Sequence, residues 1–311
     1  MTHLLSIILS TYNRSADLKI MLESLLAQEK DSSFEFEIIL IDNNSSDDTK
    51  EIVKSFETQF GNKLHYIFQP IPGKCLSINI GIEKSKGDII VFTDDDVVLH
   101  PSWLKNISKF FQLNACDGIG GRVLPIYNED VPAWVKQNPR QAAGGVVIYD
   151  QGEHSFQINN NTERFIGCNW AFKRTVFNDC GNFNTKLGPG TPVMMGEDED
   201  FFERVRQSKK ILFYCAQALV HHPVSLKRLA LPFVAKWHMA LGRYEAIKEI
   251  ENNPSLVYCF GVPRYLIRGL IIDIIKLLTT VFNHLAFFTA WRSLFRKIGM
   301  IQQYRLTFKT Q

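Results

Sequence analysis

Three consecutive carboxylates, Asp94-Asp95-Asp96, close the mostly apolar run of residues 88–93. Adjacent acids repel one another, and at a strand end they are settled by a bound cation or by solvent. Alone, the triplet reads as an acidic turn. Other polar groups share its setting: Thr11-Tyr12-Asn13 and Asp42-Asn43-Asn44 each end an apolar run, and His221-His222 ends another. A second acidic cluster, Glu197-Asp198-Glu199-Asp200, opens a segment whose apolar residues Phe201, Phe202 and Val205 recur at helical spacing. Acids, amides and hydroxyls gathered in this way suit a ligand site, whereas acids in a first helical turn are expected simply because they complement the helix dipole. The loops carry neither Gly-x-Gly-x-x-Gly nor Gly-x-x-x-x-Gly-Lys-Ser/Thr, so phosphate charge must be balanced by other means. A divalent cation, Mg or Mn, at the acidic triplet is the candidate.

These groups need a scaffold that brings strand ends together. Residues 4–10 read as a buried strand and 37–41, 64–68 and 88–93 as further strands, and three helical stretches separate them. Leu18, Met21, Leu22, Leu25 and Leu26 mark the first helix, Ile52, Val53 and Phe56 the second, and residues 76–84 the third. Strands alternating with helices imply a parallel sheet covered on both faces, which binds ligands at the carboxyl ends of its strands. The three polar ends at residues 11–13, 42–44 and 94–96 then share one edge. Beyond Pro101 the spacing predicts a helix over 103–111, strands over 118–123, 144–149 and 165–170, and a short helix over 173–178. Residues 125–141 read as a loop, and the glycine- and proline-rich residues 181–196 as a lid or binding loop. Residues 211–215 and 218–220 complete the strands.

A chain of 311 residues with 45% hydrophobic and 22% charged residues can bury a substantial core. No apolar leader follows a basic start, so a cytoplasmic location is expected. The six cysteines are dispersed without a Cys-x-x-Cys pair, as expected of buried reduced thiols. Residues 224–311 hold 13 Lys and Arg against four Asp and Glu, while residues 1–223 are net acidic. No module of basic residues interleaved with aromatics appears, which argues against a nucleic-acid partner.

The ordered pieces resemble family 2 glycosyltransferases with a GT-A fold. They are Ser6 through Thr11-Tyr12-Asn13-Arg14, Ile41-Asp42-Asn43-Asn44 through Thr49, and Gly73-Lys74 through Asn79 to Gly81-Ile82. Gly87 through Asp94-Asp95-Asp96, Gly167-Cys168-Asn169-Trp170-Ala171-Phe172, Gly181-Asn182-Phe183, Gly196 through Asp200, and the His222 strand end follow in order. The resemblance covers about residues 4–223. It implies an α/β GT-A fold, a Rossmann-like open mixed sheet flanked by helices, in residues 1–223, with residues 224–311 as a C-terminal helical appendage. It implies that Thr11, Tyr12, Asn13 and Asp42 hold the base and ribose of a nucleotide-diphosphate sugar, usually uridine-linked, with Asn44, Lys74, Asn79 and Asp95 in the same set. Asp94 and Asp96 match the ribose- and metal-binding Asp-x-Asp element, and His222 matches a histidine that completes a Mn or Mg shell in some relatives. Asp198 matches the catalytic base, with Glu197, Asn169 and Trp170 toward the sugar or acceptor. A helix N-terminus favours ionised Asp198, whereas Glu199 and Asp200 repel its charge.

Two departures matter. Ile78 stands where the family often has arginine before Asn79, so a phosphate or sugar contact is either missing or supplied by Lys74. The Gln-x-x-Arg-Trp element of processive relatives is absent after His222, with Lys236-Trp237-His238 only a faint echo, so one sugar is expected per encounter.

Residues 226–250 suit an amphipathic basic helix. Residues 265–291 are largely apolar but are interrupted by Arg268, Asp273, Lys276 and His284, charges that are costly inside a bilayer. An interfacial helix pair on an anionic membrane surface is therefore expected, with packing on protein or on a second copy as the competitor. The resulting expectation is a metal-dependent, inverting transferase acting on a glycan or lipid-linked acceptor at the inner membrane face. The alternatives are a nucleotidylyltransferase, which would want a glycine- and basic-rich loop after the first strand, and a silent carbohydrate-binding or assembly subunit.

Overall fold

The computed structural model describes residues 3–142, 144–159, 164–252, 258–259 and 261–310. Strands and helices first alternate, as β1 (His3–Thr11), α1 (Ser15–Leu26), β2 (Phe34–Asp42), α2 (Thr49–Phe60), β3 (Leu64–Phe68), α3 (Lys74–Lys84) and β4 (Ile89–Asp94). Then come β5 (Val98–Leu99), α4 (Trp103–Leu113), β6 (Gly118–Ile126), α5 (Ala133–Gln137), β7 (Phe156–Gln157), β8 (Asn169–Lys173), α6 (Thr175–Cys180), α7 (Glu197–Gln207) and β9 (Leu212–Pro223). The C-terminal part holds α8 (Leu226–Leu229), α9 (Leu231–Asn252), the short pair β10 (Tyr258–Cys259) and β11 (Val262–Pro263), α10 (Arg264–Thr279) and α11 (His284–Thr310).

The chain divides into two compact units. The first comprises residues 1–126, 148–191 and 197–223, and carries a nine-stranded sheet ordered β3-β2-β1-β4-β8-β6-β9-β5, with β7 also on β9. Strands β3, β2, β1 and β4 are mutually parallel, as helical crossovers require. Beyond β4 the sheet becomes mixed, as the resemblance implies: β8 runs antiparallel to both β4 and β6. Leu5, Ile7, Ile8 and Leu9 of β1 are wholly buried, as a central strand covered on both faces demands.

Local differences from the sequence expectations have physical causes. Residues 144–149 contribute a single bridge, Tyr149 to Val123, rather than a strand. The strand expected over 165–170 begins at Asn169. The two apolar runs at 211–220 are one strand, and its pairing with β6 absorbs a register shift between Gly121 and Arg122. The loop expected over 125–141 contains α5 and a 3₁₀ turn, Pro139–Ala142. All six cysteines are unpaired thiols, four of them buried.

The second unit comprises residues 127–147, 192–196 and 224–311. Helices α9 and α11 meet backbone to backbone at two glycines. A β-carbon on Gly242 would lie 1.9 Å from the Arg296 carbonyl oxygen, and one on Gly299 would lie 2.1 Å from that of Met239. His238, the faint echo of an acceptor-side motif, is a buried strut here. Arg292 donates to its Nε2 at 2.8 Å, so Nδ1 carries the proton and donates to the Val234 carbonyl at 3.0 Å. The apolar stretch 265–291 is divided between α10 and α11, and no helix among the described residues is long and apolar enough to cross a membrane.

Candidate active site

Parallel pairing fixes which strand ends coincide. In the β1–β2 register Thr11 lies opposite Asp42, and in the β1–β4 register Ser10 lies opposite Asp94. The polar ends of three strands therefore share one edge. The Asn43 N–H donates to the Thr11 carbonyl at 2.8 Å, and Asn43 Oδ1 accepts the Gly73 N–H at 2.9 Å, tying the start of α3 to the same edge. Asp42 is buried and held from two sides, by the Ser45 N–H at 2.8 Å and the Tyr66 hydroxyl at 2.7 Å. Burial and the Asp42 contact raise the Tyr66 pKa, which keeps it a donor. Asn13 and Asn44 take left-handed φ values of 50° and 69°, which asparagine tolerates. Asn13 Oδ1 accepts the Ser46 N–H at 2.7 Å, while Tyr12, 53% exposed, and Asn44 line the open rim.

The acidic triplet is balanced by two cations. Arg14 Nη1 lies 2.8 Å from both Asp95 Oδ1 and Asp96 Oδ2, and Lys74 Nζ lies 3.0 Å from Asp94 Oδ1. Each acid has a different task. Asp95 is buried and also accepts the Thr11 hydroxyl at 2.7 Å, so it anchors the β1 end. Burial pushes its pKa up to about 6, against Arg14. Burial also opposes the charge of Asp94, but Lys74 overrides it and holds that carboxyl below its ordinary range. Sequence reasoning left Arg14 out of the site; its place directly after Thr11-Tyr12-Asn13 was the available signal.

Asp96 faces His222. His222 Nδ1 lies 3.1 Å from the Pro223 carbonyl, to which it donates, and this turns Nε2 toward Asp96 Oδ1 at 3.4 Å. An imidazole nitrogen and a carboxylate oxygen converge there, and a backbone carbonyl fixes the second ring nitrogen, as is usual for a metal-ligating histidine. The donor set fits a divalent cation. Among the described residues no three His, Cys, Asp or Glu side chains converge, so further ligands would come from diphosphate and water. Asp94, expected as a third ligand, is committed to Lys74.

The other acidic cluster begins α7. Phe201 of that helix stacks on Phe183 and Phe177 with ring centroids 4.4 and 5.3 Å away, and it meets Trp170 edge-on at 5.9 Å. Such aromatic pairs contribute roughly 0.5–1.5 kcal/mol each beyond burial and lock the first turn of α7. Glu199 and Asp200 are neutralised locally, by Arg164 at 2.7 Å and Arg204 at 2.9 Å. Burial decides the protonation of Asp198, raising its pKa with help from Asp94, against Lys74 and the Gly167 N–H. Burial and Asp198 push Glu197 up to about 7. Lys74 feels Asp94, Asp198 and Glu197 together, which outweigh its burial and keep it charged. A small cavity is walled by Lys74, Asp94, Gly167, Trp170 and Asp198. A larger groove lies at the opposite end of β2, around Phe34 and Phe60.

Two expected ligand contacts are committed to the scaffold instead. Asn79 exchanges both amide hydrogen bonds with the Phe183 backbone, at 2.9 and 3.0 Å. Asn169 is 1% exposed; it donates to the Arg122 and Ala218 carbonyls and accepts from Trp103 Nε1, which leaves no free edge for a sugar. Trp170 is buried in the aromatic cluster and reaches the cavity only as part of its wall.

Comparison with known proteins places this geometry. The family described as "Glycosyl transferase family 2" matches residues 6–181. The succinoglycan biosynthesis protein ExoM of Rhizobium meliloti is 23% identical over 234 residues, which cover 75% of this chain and 71% of that protein. Against another curated glycosyltransferase the match is 32% identical over 118 residues and spans 38% of that protein's length. Among solved structures, S. aureus TarS 1-349 in complex with UDP superposes with a TM-score of 0.55 at 14% identity, over 99% of this chain and 92% of that one. The mannosyltransferase PcManGT from Pyrobaculum calidifontis, in complex with GDP-Man and Mn2+, gives 0.57 at 16% identity, over 94% and 74%. The fold is that of the GT-A glycosyltransferases, a mixed open sheet flanked by helices.

Proposed function

The chain belongs to glycosyl transferase family 2, and on that premise we propose that it moves a single sugar from a nucleotide-diphosphate sugar to a glycan or lipid-linked acceptor, with inversion, during polysaccharide or cell-surface glycan synthesis. The observation that carries this reading is the convergence of Asp198, Lys74 and Asp94 on one cavity at the carboxyl edge of the sheet. Likeness to a succinoglycan biosynthesis protein supports the acceptor class, and the UDP and GDP-Man complexes of two GT-A structures support the donor class.

Asp198 takes the acceptor hydroxyl proton. Its buried setting raises its proton affinity above that of an ordinary aspartate, which suits a base working near neutral pH. The acceptor oxygen attacks the anomeric carbon in line as the bond to diphosphate breaks. Lys74 balances charge on the departing diphosphate, Asp94 orients the ribose, and Asp42, fixed by Tyr66 and Ser45, meets the uridine-type base beside exposed Tyr12. Glu197 and Trp170 border the sugar. Asp96 and His222 would hold Mn or Mg, which supplies Lewis-acid stabilisation to the leaving group when bound. The basic C-terminal helices keep the enzyme peripheral at an anionic inner membrane face, near a lipid-linked acceptor.

The test is a panel of nucleotide sugars assayed for Mn-dependent donor binding and sugar transfer. Asp198→Asn is expected to lower transfer by about 10³-fold or more while leaving the donor dissociation constant within a few-fold. Transfer at the wild-type rate by that variant would remove Asp198 as the base.

A further inference from the structure

Helix α10 sorts its side chains by charge. Its inner side carries Leu266 and Asp273, both buried, and Lys297 Nζ lies 2.5 Å from Asp273 Oδ2. The only carboxylate of α10 is thereby turned inward and neutralised. Sequence reasoning counted that residue against a bilayer-spanning helix, and the fold turns it away from the exposed side of α10. On the outer side Ile271, Ile275 and Leu278 recur at helical spacing and are 54%, 55% and 75% exposed. The strip continues into the turn before α11 with Val281 and the wholly exposed Phe282. Arg264, Arg268 and Lys276 are exposed on the same helix. At its N-terminal end Glu249 of α9 accepts the Tyr265 hydroxyl.

A continuous apolar strip of this kind marks an interaction surface, and its charge selects the occupant. A second copy docking strip to strip about a two-fold axis would bring the cations of one α10 near those of the other, with no carboxylate on the outer side of that helix to meet them and Glu249 already engaged by Tyr265. A membrane span is ruled out for α10 by length, since its 16 residues reach only about 24 Å, short of a bilayer core. An anionic bilayer surface matches both features, with aliphatic side chains below the head groups and cations among them. We propose that α10 and the turn at residues 280–283 form a lipid-docking surface that lies in the head-group plane of an anionic bilayer, with Phe282 deepest. This names the contact surface for the peripheral membrane location proposed above and rests on that reading, but not on the choice of base or metal.

The full chain is to be co-sedimented with phosphatidylcholine vesicles with and without phosphatidylglycerol. Binding is expected only with the anionic lipid and should weaken as salt is raised. Arg264→Ala and Arg268→Ala should each weaken it about five-fold, and Phe282→Ser or Ile275→Gln by about ten-fold or more. Because these side chains are exposed, melting temperatures should stay at the wild-type value, which separates lost docking from lost folding. Failure of the wild-type chain to bind anionic vesicles would overturn the proposal, as would unchanged binding by Phe282→Ser. Self-association in lipid-free solution that Ile275→Gln abolishes, with no vesicle binding, would assign the strip to a second copy and overturn it too. Vesicle binding without any nucleotide-sugar binding would support the docking surface while removing the proposed donor chemistry.

Discussion

The carboxylate of Asp198 rests on the backbone of Gly167. The Gly167 N–H donates to it, and a β-carbon on that glycine would fall 2.2 Å from Asp198 Oδ2. The two residues come from separate elements, Gly167 from the approach to β8 and Asp198 from the first turn of α7. The glycine is thus the seat of the proposed base, and no side chain fits between them. Gly167→Ala is expected to displace the carboxylate by an ångström or so, lowering transfer about 10²-fold with donor affinity little changed. The stability cost should be about 1–3 kcal/mol, as for overpacking elsewhere. Single-turnover transfer beside a donor titration measures both, and wild-type turnover would show that the close contact is irrelevant to the base.

Glu197 gives the fold a pH dependence whose sign can be worked out. It is buried, and burial with the neighbouring Asp198 charge raises its pKa from 4.5 to about 7. The folded state therefore holds this proton more tightly than the unfolded state. Stability linked to it is full below 4.5 and is lost as pH rises to about 7. Glu197→Gln should flatten that decline and stabilise the protein above the window, by an amount on the order of 1–3 kcal/mol. Urea unfolding of both proteins across this range is the measurement. An equal decline in the variant would move the titration to another group.

Much of this arrangement is legible in the sequence. Apolar runs ending in Thr11, Asp42 and Asp94 implied strands, helical spacing between them implied crossovers, and parallel pairing then required a shared edge. Long-range geometry was not legible in the same way. No local pattern announces that β8 returns antiparallel between β4 and β6, because a short, fully buried strand reads alike in either direction. The resemblance offers Asn79 and Asn169 as ligand contacts, but an amide serves ligand and backbone equally well, and only the positions of Phe183, Arg122 and Ala218 show where their hydrogen bonds go. Arg14 and Asp95 lie 81 residues apart in sequence, and nothing between them signals the pairing. The contest between the helix end and Glu199 or Asp200 over Asp198 was settled by neither, since Arg164 and Arg204 neutralise the outer acids and burial takes over.

Lys74 links the carboxyl edge of the sheet to the proposed base. It pairs with Asp94 at 3.0 Å, and its charge lowers the proton affinity of Asp94, Glu197 and Asp198. With Lys74→Met these acids lose their shared cation, and Asp198 should hold its proton to a higher pH. The acidic limb of the rate profile is expected to move upward by about one pH unit or more, with partial recovery of transfer in alkali. Donor affinity should fall as well, because the diphosphate loses a counter-charge. A profile that keeps its wild-type shape at a lower rate would limit Lys74 to holding the donor.

Arg14 makes a sharper test of the metal site, because one guanidinium nitrogen sits 2.8 Å from both Asp95 and Asp96. Without it two carboxylates face each other across a largely buried site, so Arg14→Gln should melt several degrees below wild type when metal is absent, in keeping with a loss of about 1–3 kcal/mol. Added Mn can replace the missing charge at Asp96, so the rise in melting temperature on metal addition should exceed that of the wild-type protein. Asp96→Asn predicts the opposite pattern. It removes the oxygen charge opposite His222 Nε2 and should abolish the Mn-dependent rise, while Arg14 keeps its bond to Asp95 and holds the metal-free protein near its original stability. Thermal melts of the three proteins, with and without Mn and UDP, separate these outcomes. A wild-type metal response in Asp96→Asn would show that the cation is held elsewhere and would detach Asp96 and His222 from it.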